Sequence, residues 1–386
     1  MSQRFRAAGF GFVDRSRPLA FTFDGVAYQG YAGDTLASAL IANGVHLIGR
    51  SYKYHRPRGI LSAGAEEPNA LVGLERGPGR FTPNLRATQI DLYDGLRASS
   101  QNRWPSLTFD VGAVNDLFSP LFGAGFYYKT FMGPNLFGKN WAWARVYEPM
   151  IRRAAGLGAP PREPDPDRYQ RTFDHCDVLI VGAGQAGLAA ALAASERGAR
   201  VVVCDENPAP GGSLLIESEV EIDGKSALKW LEDAVAALRS APNVRLMTRT
   251  QAFGYYAQNF VALNERIAEA DLIADPDLPR ERLWQMRARE VVLATGAIER
   301  PLVFPDNDRP AVMLAEAARR YCRQYGAKVG DRVVVATAHD SAYRAALDLK
   351  KAGVSVELIA DLRREAVGAL PEAARAAGIE VAAGAE

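Results

Sequence analysis

From residue 177 to the end, short apolar runs alternate with Ala/Leu-rich or amphipathic stretches, the rhythm of strands and helices taken in turn. Asp177-Val178-Leu179-Ile180-Val181 is almost continuously apolar, as a strand covered on both faces requires. A helix rich in Ala and Leu follows and stops near Gly198, a second strand spans 200–204, and Val291-Val292-Leu293 is another. Residues 331–336 and 340–352 repeat the strand and helix. Alternation of this kind predicts a mostly parallel sheet layered by helices. The first hundred residues have a different period. Phe21-Thr22-Phe23 and the stretch 26–31 flank Asp24-Gly25, a pair suited to the positive φ angles of a tight hairpin. A helix is expected to start at Asp34, whose side chain can cap it. Leu36, Leu40 and Ile41 form its buried stripe, and Gly44 stops it. The alternation over 87–92 predicts a further strand before the Asp94-Gly95 turn. Hairpin, helix and further strands are the order of a β-grasp fold.

Between these regions, 106–173 is rich in aromatics, Gly and Pro, including Phe126-Tyr127-Tyr128-Lys129 and Trp141-Ala142-Trp143, which are expected to pack between domains. It closes on 159–167, where four prolines predict an extended linker. The fold class is therefore α/β with an N-terminal α+β β-grasp domain. The expected domains are 1–105 (β-grasp), 106–173 (connecting segment), 174–300 (a Rossmann-like dinucleotide-binding domain) and 301–386 (an inserted second Rossmann-like domain, incomplete at the C-terminus).

The chemistry is carried by Gly182-Ala183-Gly184-Gln185-Ala186-Gly187, set between the first strand and its helix. Gly182 permits the tight turn, Gly184 lets bare backbone approach a pyrophosphate, and Gly187 lets helix and strand pack closely. The helix N-terminus then directs free N–H groups and a partial positive charge at the phosphates. Asp205-Glu206 closes the second strand, about twenty residues past the glycines, where an acid can accept both ribose hydroxyls and would repel a 2′-phosphate. NAD or FAD is favoured over NADP. Asn207-Pro208-Ala209-Pro210-Gly211-Gly212 follows the acid, and Ala294-Thr295-Gly296 ends the strand at 291–293. Together these resemble the flavoproteins with two dinucleotide-binding domains, the second inserted into the first. In the expected insertion, Thr337 and His339 stand where its first two glycines would be, and each adds side-chain atoms where a phosphate must meet backbone. Asp361 closes the next strand and reads as a solvated strand end; Leu362-Arg363-Arg364-Glu365 reads as the start of a helix. One dinucleotide site is expected, not two.

Composition removes other classes. Of 386 residues 48% are apolar and 24% charged, and the net charge is +1, so nothing draws the chain in bulk to nucleic acid or an anionic membrane. Three well-separated cysteines, Cys176, Cys204 and Cys322, form no disulfide framework or thiolate metal site, and Cys176 and Cys204 read as inert core thiols. His46, His55, His175 and His339 have no metal-ligand spacing. Without an apolar leader or membrane span, a cytoplasmic location is expected. The cationic run 50–58, with Tyr52 and Tyr54, leaves two readings open: a grip on a flavin phosphate or partner subunit, or a loop with its tyrosines packed beneath.

Several strings narrow the resemblance: Arg50-Ser51-Tyr52-Lys53-Tyr54-His55-Arg56-Pro57-Arg58-Gly59-Ile60, Glu66-Glu67-Pro68-Asn69-Ala70, Ser100-Gln101-Asn102-Arg103-Trp104-Pro105, Gly125-Phe126-Tyr127-Tyr128-Lys129-Thr130-Phe131 and Asp340-Ser341-Ala342-Tyr343. They resemble the alpha subunits of heterotetrameric sarcosine oxidases over essentially the whole chain. The resemblance implies a non-catalytic NAD, with Ala186, Asp205, Glu206, Ser213 and Ala252 beside Gly182, Gly184 and Gly187 as its contacts. It implies an FAD on a beta subunit, an FMN at the alpha–beta interface, and gamma and delta subunits as further partners. Sarcosine and tetrahydrofolate are the implied substrates of the complex, which oxidises sarcosine to glycine and forms H2O2. The β-grasp domain is similar to [2Fe–2S] domains of amine and opine dehydrogenase subunits; with no cysteine before Cys176, no iron–sulfur cluster is expected. The family's alpha subunit is longer and ends in a folate-binding domain, so the chain reads as an N-terminal fragment. The alternatives are a self-contained FAD/NAD(P)-dependent oxidoreductase, an amine or opine dehydrogenase subunit, and a purely structural subunit.

Overall fold

The computed structural model describes residues 3–121, 141–155, 158, 161–217 and 219–385. The aromatic string at 126–129, and with it 125–131, lies outside them, as do 159 and 160 at the head of the proline run. The chain divides into two compact units, one of residues 1–165 and 300–386 and the other of 166–299.

In the first unit, β1 (Asp14–Phe23) and β2 (Val26–Ala32) form the expected hairpin, with Phe23 opposite Val26 and both Asp24 and Gly25 at positive φ. Helix α1 (Leu36–Ala42) follows, then β3 (Leu71–Glu75), β4 (Phe81–Arg86) and β5 (Leu96–Ser100). The sheet order is β2-β1-β5-β3-β4, with β1 and β5 parallel. Every residue of α1 is buried, not only the stripe read from its period. Leu36 and Leu40 sit among Phe21, Phe23, Val72 and Leu96, each such side chain contributing about 1.5–3 kcal/mol on burial. The stretch at 87–92 is not a strand: Ala87–Gln89 is a turn of 3-10 helix. Ala87 and Thr88 in that turn, and Ile90 and Leu92 after it, are still buried.

The helix cap is also not the expected one. Thr35, not Asp34, caps α1, taking the Ser38 N–H at 3.1 Å while the Ser38 hydroxyl takes the Thr35 N–H at 2.9 Å. Asp34 is the buried partner of Arg6, accepting from Nη2 at 2.7 Å and Nη1 at 3.1 Å, from the Tyr31 N–H and from the Ser38 hydroxyl. Arg6 also donates to the Tyr325 carbonyl at 2.6 Å. One ion pair thus joins the N-terminus, the β-grasp helix and a helix some three hundred residues away in sequence.

The second unit begins with β6 (Tyr169–Val181), α2 (Gln185–Glu196) and β7 (Val201–Cys204), followed by α3 (Ala227–Ser240), β8 (Val244–Met247), β9 (Thr250–Tyr256), β10 (Phe260–Arg266) and β11 (Glu281–Leu293). Their order is β8-β7-β6-β11-β10-β9. The first four are parallel and the last two run antiparallel. Ile180, Val201 and Val203 face a cluster with α2 and α3, while Leu179, Val202 and Cys204 face a second cluster, so both faces are covered as the apolar runs require.

The chain returns to the first unit with α4 (Ala315–Tyr325), β12 (Arg332–Thr337), α5 (Ser341–Lys351), β13 (Ser355–Asp361), α6 (Ala369–Ala376) and β14 (Glu380–Ala383). The three strands are parallel. Tyr321, Tyr343 and Leu349 belong to the same apolar cluster as Phe21 and Leu40. The segment 362–365 is not helical; α6 starts later, because Arg363 turns back to Asp361.

Replacing Asp34 with Ala leaves the Arg6 guanidinium buried without its carboxylate. We expect a loss of about 3–5 kcal/mol in the urea unfolding free energy; a loss under about 1 kcal/mol would show that the pair does not hold these segments together.

Candidate functional site

The glycine turn grows out of the end of β6. Gly182 has φ of +103°, a backbone that side-chain-bearing residues rarely adopt, and a Cβ there would collide with the Ala294 carbonyl oxygen. Gly187, one turn into α2, lies so close under the Gly182 carbonyl that a Cβ would overlap it. Gly184 is different. A Cβ on it would meet nothing within 4 Å, so its backbone borders open space. Gly184 is also the N-cap of α2 and no side chain caps that end, so the first N–H groups of a 12-residue helix have no side-chain acceptor. Bare backbone, open space and an uncapped helix start are what a pyrophosphate needs.

The segment after β7 is fastened to this turn. The Ala183 N–H donates to Asp205 Oδ2 at 2.7 Å, and the Ala183 carbonyl accepts from the Gly211 N–H at 2.8 Å. Asp205 Oδ1 accepts the N–H and the side-chain amide of Asn207, both at 2.9 Å. An ideal Cβ on Gly212 would lie 3.1 Å from Gly184 Cα, so the two glycine turns are in contact. The Ala294-Thr295-Gly296 turn joins the same place, Ala294 N–H donating to the Val181 carbonyl at 2.8 Å.

The structure therefore brings Gly182, Gly184, Gly187 and Asp205 together, with Ala186 exposed on the first turn of α2. Glu206 is half-buried beside Asp205, and the exposed Ser213 follows the Gly212 turn. Ala252 is not gathered in by those contacts. It lies on β9 opposite Leu263 and packs on the cluster that holds Val202 and Cys204. Sequence reasoning missed Asn207 and Ala294; their positions directly after the acid and before the Thr295-Gly296 pair were the available signal.

In the 301–386 segment, Thr337 and His339 fill their own turn. Thr337 Oγ1 donates to the His339 carbonyl at 2.7 Å and accepts its N–H at 3.0 Å. Arg363 then bridges Asp361 at 2.6 Å and Asp340 at 2.7 Å. Asp361 is no solvated strand end but fully buried; the Arg363 guanidinium pulls its carboxyl down to about 2, while burial and the bond to Asp361 push the Tyr343 phenol up to about 12.

The cationic run at 50–58 spends much of its charge inside its own unit. Arg50 donates to the carbonyls of His55 and Leu107, His55 contacts Asp110 at 2.6 Å, and Arg56 and Arg58 pair with Asp306 and Asp308. Tyr52 is exposed, so it is not packed beneath that loop. Among the described residues no group of three or more His, Cys, Asp or Glu side chains is placed to hold a metal ion, and no helix is long and apolar enough to cross a membrane.

Residues 176–385 match the family described as pyridine nucleotide-disulphide oxidoreductase, and the chain belongs to that family. It is 54% identical over 359 residues to a sarcosine oxidase subunit alpha of Rhizobium meliloti (strain 1021), covering 93% of this chain and 36% of that protein. A sarcosine oxidase subunit alpha of Corynebacterium sp. (strain P-1) is 38% identical, covering 96% of this chain and 33% of that one. The resemblance read from the sequence strings is borne out, and the chain spans about a third of the length of these curated relatives. A solved L-proline dehydrogenase from P. horikoshii shares the fold, with a TM-score of 0.61 at 20% identity over 92% of this chain and 56% of that one.

One expectation is overturned. Residues 16–103 match the family described as a 2Fe-2S iron-sulfur cluster binding domain, which corrects the reading of this domain as one without an iron–sulfur cluster. That reading rested chiefly on the absence of cysteines, whereas the match spans the β-grasp segment. The segment itself holds no cysteine to supply the thiolates by which such clusters are held.

Two outcomes follow from this geometry. Gly184→Ala should keep stability within about 1 kcal/mol of the wild type, because the added methyl enters open space at a helix cap, while reducing dinucleotide affinity. Gly187→Ala should instead cost about 1–3 kcal/mol or more through overpacking; equal melting curves for the two variants would contradict this. Burial pushes the thiols of Cys176 up to about 11 and of Cys204 and Cys322 up to about 12. Iodoacetamide at pH 8 should therefore leave all three unlabelled in the native protein and label them after denaturation, as read by mass spectrometry.

Proposed function

We propose that the chain is the NAD-binding, alpha-type part of a multisubunit sarcosine oxidase. The observation that carries the dinucleotide site is Gly184: bare backbone beside open space at the uncapped start of α2. Gly182, Gly184, Ala186 and Gly187 would form the phosphate seat, Asp205 and Glu206 its acidic side toward the ribose, and Ser213 a hydroxyl within the neighbouring turn. Ala252 belongs to the proposal through the family resemblance alone.

NAD would supply a bound dinucleotide whose adenosine half fits a two-faced parallel sheet of this kind. The chain's own contribution is to orient it: backbone N–H groups take the phosphates, and the acids at the end of β7 disfavour a 2′-phosphate. The sarcosine chemistry is assigned to the assembly. The similarity to sarcosine oxidase alpha subunits supports a beta subunit with FAD, an FMN at the shared interface, and gamma and delta subunits. The substrates of that assembly would be sarcosine and tetrahydrofolate, with H2O2 as a product.

The second Rossmann-like segment favours one site over two. Its turn is occupied by the Thr337 and His339 groups, and its strand-end acid by Arg363. The test is to purify the intact complex, denature it and chromatograph the released nucleotides. About one NAD per chain is expected, with the flavins in addition. Its absence would refute the proposal, and FAD in stoichiometric amount from this chain alone would favour a self-contained oxidoreductase.

A further inference from the structure

We propose that the stretch 104–118 is a docking surface for another subunit of the assembly, one that presents an apolar, uncharged face to it. The inference rests on the reading of the chain as a subunit and names where a neighbouring subunit is seated.

The connecting segment has almost no core of its own. Among the described residues of 106–165, Leu107 is the one hydrophobic side chain buried in the core. Val111–Ala113 is a turn of 3-10 helix that runs into the short helix Val114–Leu117. Val111 stands three places before Val114, and Leu117 and Phe118 stand three and four after it, the spacing of one helix side. All four are exposed, Leu117 at 79%. Ala113, Asn115 and Asp116 between them are better covered, and Asn115 Nδ2 donates to the Lys53 carbonyl at 3.4 Å. The helix is thus turned inside out, its polar side against its own protein and its apolar side in water. Ordering it this way costs conformational entropy and removes no apolar stripe from solvent, so nothing within the unit repays it.

The Val111 N–H donates to the Trp104 carbonyl at 2.8 Å, which ties Trp104 and Phe109, each 69% exposed, to the same loop. No charged residue of 104–118 is exposed. Aromatic enrichment without charge is the composition of an interface centre. With each aromatic able to bury 150–250 Å², the six apolar side chains leave on the order of 500 Å² in water. A stable interface needs about 800 Å² from each partner, so the stripe supplies its core and leaves a polar rim to its surroundings. A lipid surface suits it less, because a membrane-binding face carries Lys or Arg around its apolar side. The cations of the neighbouring run are turned inward, Arg50 to the Leu107 and His55 carbonyls, and Arg56 and Arg58 to Asp306 and Asp308. Those bonds also make the surface rigid. Arg50 holds the Leu107 carbonyl at 3.0 and 2.7 Å, and Asp110 accepts the Trp104 N–H at 2.9 Å while contacting His55 at 2.6 Å. A surface shaped before its partner arrives loses less entropy on association. The reading of the chain as an alpha-type subunit supplies the occupant, a different subunit and not a second copy.

The full-length chain and the other subunits are purified separately, and the dissociation constant of their assembly is measured. Leu117→Glu puts a charge on the stripe and Phe109→Glu puts one beside it. Each should weaken assembly about thirtyfold or more, as the loss of a central anchor does. NAD binding and the melting temperature of the variant chains alone should stay at wild-type values. Hydroxyl-radical footprinting of the wild type depends on no variant folding: Trp104, Phe109 and Leu117 should be labelled in the free chain and protected in the assembly. Wild-type assembly constants in both variants, or equal labelling with and without the other subunits, overturn the proposal. So does protection already present in the free chain, since its cover is then the chain's own continuation or, where protection rises with concentration, a second copy. Wild-type subunits that do not assemble at all refute the subunit reading itself, and the docking surface with it.

Discussion

The second unit depends on one close approach: α2 lies against the end of β6 with no side chain between them. Gly187 sits under the Gly182 carbonyl, and Gly182 sits under Ala294 at the end of β11. Three backbone segments therefore meet where any Cβ would force them apart. The helix start is consequently held at the edge of the sheet, and its free N–H groups face the space beside Gly184 instead of being covered by side chains. The parallel order of β8, β7, β6 and β11 and the two apolar clusters on its faces support that contact from either side.

Around it the polar groups are arranged to hold bare backbone in place. Asp205, Asn207 and Gly211 form the inner ring of hydrogen bonds, and none of them needs a ligand to be satisfied. The corresponding turn at 337–339 is built on the opposite principle. There the Thr337 side chain closes the turn on the His339 main chain, and Arg363 pairs with Asp361 and Asp340 beside it. The two segments share a strand–turn–helix plan and differ in whether side chains or open space occupy the turn.

The first unit is organised by a buried ion pair within an apolar cluster. Arg6 and Asp34 would each be costly to bury alone, and their further bonds to Tyr31, Ser38 and Tyr325 are what make the pair tolerable in a core. The cluster they adjoin runs from the β-grasp sheet through Tyr321 and Tyr343, so residues at the two ends of the chain share it.

The sequence by itself determined the local pieces. The Asp24-Gly25 hairpin, the apolar strand before Gly182, the glycine spacing and the strand and helix after Gly330 were all legible, because each is dictated by backbone conformation or burial within about ten neighbouring residues. It also carried the family resemblance in strings such as those at 50–60 and 100–105. What it could not carry was the partner of each polar side chain. Asp34 had the position of a cap and became an ion-pair partner, since Arg6 lies close only after folding. Asp361 had the position of a solvated strand end and became buried, since Arg363 doubles back on it. Asp205 had the spacing of a ribose acid, and only the tertiary structure placed Ala183 and Asn207 on its oxygens. Periodicity is a property of neighbours along the chain, whereas the state of a carboxylate depends on which donors the fold brings to it.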